Sequence, residues 1–141
     1  MDNHVFLSYS FADVYRARRL RTALRLYGIA AWPHLALTPG SPAWEAAFEE
    51  RLKTAACVVL ILTPNSSSSR WTNMAIDHAT RHRVPIVPVL MNGDAGHVLL
   101  ARVQGEAWFD LRWSRNLKSE LAGLVQLIRQ HSQPDVVEAR T

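Results

Sequence analysis

The sequence has one cysteine, Cys57, so an internal disulfide is excluded. Its place at the head of the apolar run Val58-Val59-Leu60-Ile61-Leu62 marks it as a small buried side chain. No apolar run approaches the roughly 20 residues that span a bilayer, and the N-terminus opens on a strand pattern instead of a secretion signal. The expectation is a cytoplasmic domain without a membrane partner. A glycine-rich turn after the first apolar run is also missing, because Ser8-Tyr9-Ser10-Phe11 stands there; phosphate-cradling dinucleotide binding of the Rossmann kind is therefore unsupported.

What is present fits one folded domain. The chain has 141 residues, 48% of them hydrophobic and 20% charged, enough for a single core of strands covered by helices. The formal charge of +4 is uneven, since Arg16, Arg18, Arg19, Arg21 and Arg25 fall in one predicted helix. That face suits an acidic partner, but without interleaved aromatics or a nucleic-acid motif it reads as a solvated face, and nucleic acid is disfavoured as a ligand.

Apolar, β-prone runs recur at His4 to Ser8, Ile29 to Trp32, Cys57 to Leu62, Val84 to Leu90 and Ala107 to Leu111, predicting five strands. Helical spacing lies between them. Ala17, Leu20, Leu24 and Tyr27 form one stripe, stopped by Gly28; Trp44, Phe48 and Leu52 form a second, with Ser41 as cap and Pro42 at the first helical position. A third helix is expected from near Ser69 through Trp71 to about Arg81. Leu117, Leu121, Leu124, Val125 and Ile128 mark the last. Strand and helix alternate, which predicts an α/β fold, a three-layer sandwich around a five-stranded parallel sheet; its flavodoxin-like strand order 2-1-3-4-5 is expected from this alternation together with the family resemblance that the motifs below carry. Residues 1–131 read as the domain and 132–141 as a polar tail or linker to a further sensor or effector.

A response-regulator receiver has the same strand count, but needs an aspartate at the end of the third strand, where Thr63-Pro64-Asn65 stands. Another family accounts for more. Val5-Phe6-Leu7-Ser8-Tyr9-Ser10 with Asp13, Gly28-Ile29-Ala30-Ala31-Trp32, Pro39-Gly40-Ser41-Pro42-Ala43-Trp44, Leu60-Ile61-Leu62-Thr63-Pro64-Asn65, Ser69-Arg70-Trp71 and Ile86-Val87-Pro88-Val89 together resemble the Toll/interleukin-1 receptor (TIR) domain, in particular its bacterial NAD⁺-cleaving type. The resemblance implies NAD⁺ as substrate rather than cofactor, cleaved to nicotinamide and ADP-ribose or a cyclic isomer of it. It also implies a role in immune or antiphage defence, and activation by self-association, with filaments among the forms this takes.

The chemistry implied is economical. Nicotinamide leaves neutral from a cationic pyridinium, so one carboxylate beside the ribose is enough to stabilise the oxocarbenium-like charge. In the family that glutamate lies four residues after the tryptophan that starts the third helix. Here the tryptophan is Trp71, and the fourth residue on is Ala75. Alanine there is either native to an inactive relative or a deliberate substitution, and the intact motifs around it favour the substitution. Asp77 is turned about 200° away from residue 75 on a helix and reads as solvated.

By the same resemblance, Phe6, Ser8 and Tyr9 end the first strand at the pocket, and Ser10 and Phe11 form its rim. Trp32 and Leu35 would lie on the nicotinamide side, and Trp71 would either stack on a ring of the ligand or simply pack. Trp44 reads as core. The loop with His34, Leu35, Leu37, Pro39 and Gly40 is implied as the assembly loop. No metal is expected: His78 and His82 have a helical spacing that can hold zinc, but with no third ligand near them in sequence they read as surface residues. Ser66 to Ser69 read as a loop with a helix cap. The second reading is a non-enzymatic TIR–TIR signalling adaptor, which gains if Ala75 is native.

Overall fold

Val5–Ser8 forms β1, a strand buried along its whole length, and a 3₁₀ turn at Phe11–Asp13 leads into helix α1, Val14–Leu26. The remaining elements of this computed structural model are β2 (Ala31–Trp32), α2 (Pro42–Lys53), β3 (Val58–Leu62), α3 (Arg70–His82), β4 (Ile86–Leu90), α4 (Val98–Arg102), β5 (Phe109–Asp110) and α5 (Leu117–Ser132). The residues described are 4–32, 41–94, 97–103, 107–112 and 116–132. The sequence-predicted loop positions His34, Leu35, Leu37, Pro39 and Gly40 lie outside them, as do residues 133–141.

All strand pairs are parallel, and the sheet order is β2-β1-β3-β4-β5, as expected from the alternation of elements together with the family resemblance. Side chains alternate across a strand, so each strand serves two cores. Val5 and Leu7 of β1, Val59 and Ile61 of β3, and Val87 and Val89 of β4 pack with Leu20 and Leu24 of α1 and Leu124 and Ile128 of α5. On the opposite face, Phe6 and Val58 pack with Trp44, Phe48 and Leu52 of α2 and Ala75 and Ala79 of α3, while Leu60, Leu62 and Leu90 meet Ile76 of α3 and Leu99 of α4. The central strands bury both faces, which explains their unbroken apolar sequence.

The helix signals are realised locally. Ser41 Oγ accepts from Trp44 N at 3.2 Å and Ser69 Oγ from Thr72 N at 3.2 Å, each satisfying an N–H that has no partner within its helix. Gly28 ends α1 with φ 77°, a left-handed conformation that costs glycine little. Tyr27 does not complete the α1 stripe: it is the C-terminal cap residue, exposed. The strands are shorter than their apolar runs. Paired residues in β2 are Ala31 and Trp32 alone, and β4 begins at Ile86, just after Pro85, whose carbonyl accepts from Val58 N at 2.8 Å. Helix α4 was not foreseen; its single turn, capped by His97, is too short to carry a period.

Candidate functional site

In a sheet of this order the strand order reverses between β1 and β3, and the loops at their carboxyl ends form the crevice where such folds bind ligands. The loop after β1 carries Tyr9 to Asp13 and the loop after β3 carries Thr63 to Ser69. They are tied together by Asp13, whose side is sealed from solvent. Its Oδ2 accepts from Thr63 Oγ1 at 2.6 Å, and its Oδ1 accepts from Asn65 Nδ2 at 3.3 Å and Arg16 Nη1 at 3.1 Å. Asp13 is 1% and Thr63 0% exposed. Ser66 braces the same turn, its hydroxyl accepting from Thr63 N and donating to Ile61 O. In the serine run Ser66 is buried within this turn, Ser67 and Ser68 are exposed, and Ser69 caps α3, which agrees with a loop followed by a helix cap.

Beside this knot stands a box of aromatic rings from β1, β2, α2 and α3. Phe6 lies 5.1 Å from Trp32 and 4.9 Å from Phe48, ring centre to ring centre; Trp32 lies 4.9 Å from Trp44. Trp71 closes the side, 5.4 Å from Phe48 and 6.0 Å from Trp44, and Phe11 caps it at 5.9 Å from Trp44 and 6.0 Å from Trp71. These tilted and edge-to-face contacts are the favourable geometries for aromatic pairs. The space among Phe6, Ser8, Tyr9, Phe11, Trp32, Trp44 and Trp71 is about 10 Å³, close to the room of a single water. The box is filled by its own walls.

The structure thus brings together Phe6, Ser8, Tyr9, Phe11, Trp32 and Trp71 of the sequence-predicted pocket, and adds Trp44 and Phe48 to its lining. Ser10 sits at the rim, its hydroxyl accepting from Ala12 N. Tyr9 also joins the core beneath α1 and α5; burial pushes its phenol pKa up, opposed by the charges of Arg21 and Arg18. Leu35 is outside the described residues. Ala75 is 0% exposed and belongs to the core cluster of Phe6, Trp32, Trp44 and Phe48. Trp71 is half-buried, with the Arg70 guanidinium 5.1 Å from its ring centre. Two polar atoms of lining residues, Ser8 Oγ and Trp44 Nε1, are buried without a hydrogen-bond partner among the described residues.

Asp77 is exposed, as expected, and is held by Arg102 of α4. His78 departs from the surface reading: it is half-buried with its ring edge-on to Phe48, and Glu49 of α2 stands with it and His82. Neither feature was legible from spacing within one helix. A separate cavity of about 420 Å³ lies on the other side of the sheet, where Arg16 and Arg19 of α1 face Arg112, Leu117 and Leu121. Among the described residues no helix is long and apolar enough to cross a membrane.

A parallel sheet of this order, with an aromatic crevice beside the carboxyl ends of β1 and β3, defines a flavodoxin-like α/β domain. The TIR-domain family profile matches residues 5–128, and the chain belongs to the TIR family. Solved structures agree in fold. The TIR domain of the Toll-related receptor TRR-2 from Hydra magnipapillata is similar at 15% identity and a TM-score of 0.73, covering 91% of this chain and 99% of that one. The RPS4 and RRS1 TIR domain heterodimer gives 16% identity and a TM-score of 0.67, over 93% of this chain and 99% of that one. A metazoan TIR-STING receptor from C. gigas gives 23% and 0.68, over 89% of this chain but 39% of that longer one. No curated protein matches in sequence.

Proposed function

We propose that this TIR domain is an association module of immune or antiphage signalling whose pocket is a silent form of an NAD⁺-cleaving site. Ala75 carries the reading. Cleaving NAD⁺ requires an anion beside the ribose when the bond to nicotinamide breaks, and residue 75, wholly buried in the core cluster of Phe6, Trp32, Trp44 and Phe48, offers a methyl group. Two other carboxylates of these elements are engaged: Asp13 by Thr63, Asn65 and Arg16, and Asp77 by Arg102.

Recognition of NAD⁺ is a separate matter from its cleavage. Among the described residues Ser8 Oγ and Trp44 Nε1 have no hydrogen-bond partner in the lining, and burying such groups without partners costs about 1–3 kcal/mol each. A polar ligand that parts the rings would recover that cost and find flat indole faces to stack on. Self-association is supported by the TIR pair formed by RPS4 and RRS1, and the segment from His34 to Gly40, ahead of α2, is the proposed contact. The site of action is proposed as the cytoplasm.

Nicotinamide release under assembling conditions tests the reading. The chain should bind NAD⁺ and leave it intact, and Ala75→Glu should raise cleavage by about 10²–10³-fold. If an Ala75→Glu variant assembles and binds NAD⁺ yet releases no more nicotinamide than its parent, the silent-site half is wrong and the association module stands alone.

A further inference from the structure

We propose that Glu49, His78 and His82 form a divalent-metal site of the zinc class that bridges α2 and α3. The two histidines are one turn apart on α3, and an i, i+4 pair presents both imidazoles on one face. Their rings stack with centres 6.3 Å apart and planes at 22°. Glu49 comes from α2, so the third donor is supplied by packing between helices. One ligand atom from each of the three lies within 4.8 Å of the others.

The donor set selects the ion. Two imidazole nitrogens and one carboxylate oxygen suit Zn²⁺, with a tetrahedral fourth position for water; Mg²⁺ and Ca²⁺ prefer all-oxygen shells. Metal–ligand distances of about 2.0–2.2 Å place tetrahedral donors roughly 3.3–3.6 Å apart. Glu49 and His82 are exposed, so their side chains are free to swing inward by the difference. His78 is the anchored member: it is half-buried against Phe48, 6.2 Å between ring centres. Its Nδ1 is buried without a hydrogen-bond partner among the described residues. Coordination through that nitrogen would satisfy it.

The location gives the ion a structural role. Phe48, the ring that His78 touches, also touches Phe6, Trp32, Trp44 and Trp71. A cation clasping Glu49 to the two histidines fixes α2 on α3 and holds the aromatic box shut.

The test is titration of the metal-free, untagged chain with Zn²⁺, and with Co²⁺ as a spectroscopic probe. One equivalent should bind, Co²⁺ should give the strong visible absorption of a tetrahedral site, and Zn²⁺ should raise the melting temperature reversibly with chelator. Loss of a ligand costs at least the roughly 10–100-fold in affinity seen for groups that merely support one, so Glu49→Gln and His82→Ala should each weaken binding by that factor or more. Both changes are at exposed positions, and circular dichroism checks that the fold is kept. Parent-like affinity in either variant, or Mg²⁺ binding as tightly as Zn²⁺, would overturn the proposal.

Discussion

Thr63 Oγ1 donates a 2.6 Å hydrogen bond to Asp13 Oδ2, joining the loops after β1 and β3 at the point where the strand order reverses. Both residues are sealed from solvent, and the carboxylate is balanced by Arg16 and Asn65. The bond therefore fixes the mouth of the crevice as well as stabilising it.

Removing the carboxylate strands the partners. Asp13→Ala should cost about 2–3 kcal/mol, because the buried Thr63 hydroxyl loses its acceptor while Arg16, 37% exposed, returns to water. Thr63→Val removes the hydroxyl that donates to Asp13 and accepts from Asn65 N at 3.1 Å, while Arg16 and the Asn65 side chain keep Asp13 as acceptor, so about 1–2 kcal/mol is expected. Urea unfolding of the two variants measures the difference; a Thr63→Val cost as large as that of Asp13→Ala would count against the bonds from the Arg16 and Asn65 side chains.

Gly123 lies within α5, where alanine would ordinarily gain about 0.5–1 kcal/mol from helix propensity. A methyl group there would stand 2.9 Å from Phe109 Cε1 of β5, and overpacking of that kind costs about 1–3 kcal/mol. Gly123→Ala should therefore destabilise, and adding Phe109→Leu should recover part of the loss. Thermal melts of the single and double variants decide it.

Tyr9 supplies a pH dependence with a definite sign. Its phenol is raised by burial above the ordinary value of 10.0, so the folded state holds its proton longer than the unfolded chain. Its stabilising contribution is complete below that ordinary value and is lost as pH rises through the raised one. Tyr9→Phe should flatten the alkaline limb of a plot of unfolding free energy against pH; an unchanged limb assigns the loss to other groups.

Leu37→Asp tests the proposed assembly segment. Leu35, Ala36 and Leu37 offer apolar side chains between prolines, surface that a lone molecule gains little by exposing. Light scattering with and without NAD⁺ should show weaker assembly in a variant whose melting temperature is unchanged. Identical scattering removes the segment from the interface.

The sequence displayed the sheet well because its signals are local. The unbroken apolar runs of β3 and β4, Gly28 at the end of α1, and the caps Ser41 and Ser69 each announce an element from a few residues. Strand ends were less legible, since pairing with a neighbour decides them: Ile29 and Val84 are buried outside any ladder. The pocket was legible as a set of aromatic positions but not as a filled space, for Phe48 and Trp44 share one helical stripe with Leu52 and read as core. Glu49 escaped for a related reason. Its relation to His78 and His82 exists only after α2 lies on α3, and no spacing within either helix encodes it.

Three indoles in that box have an optical consequence. Trp32 and Trp44 lie 4.9 Å apart with planes at 30°, and Trp44 and Trp71 lie 6.0 Å apart at 85°. Neighbouring chromophores at such separations couple their transition dipoles, giving paired bands of opposite sign in circular dichroism and sharing excitation from ring to ring. The contributors are β2, α2 and α3, one indole each. Any event that shifts one of these elements against the others, whether a ligand parting the rings or an ion drawing two helices together, will register in the protein's own spectrum without a label.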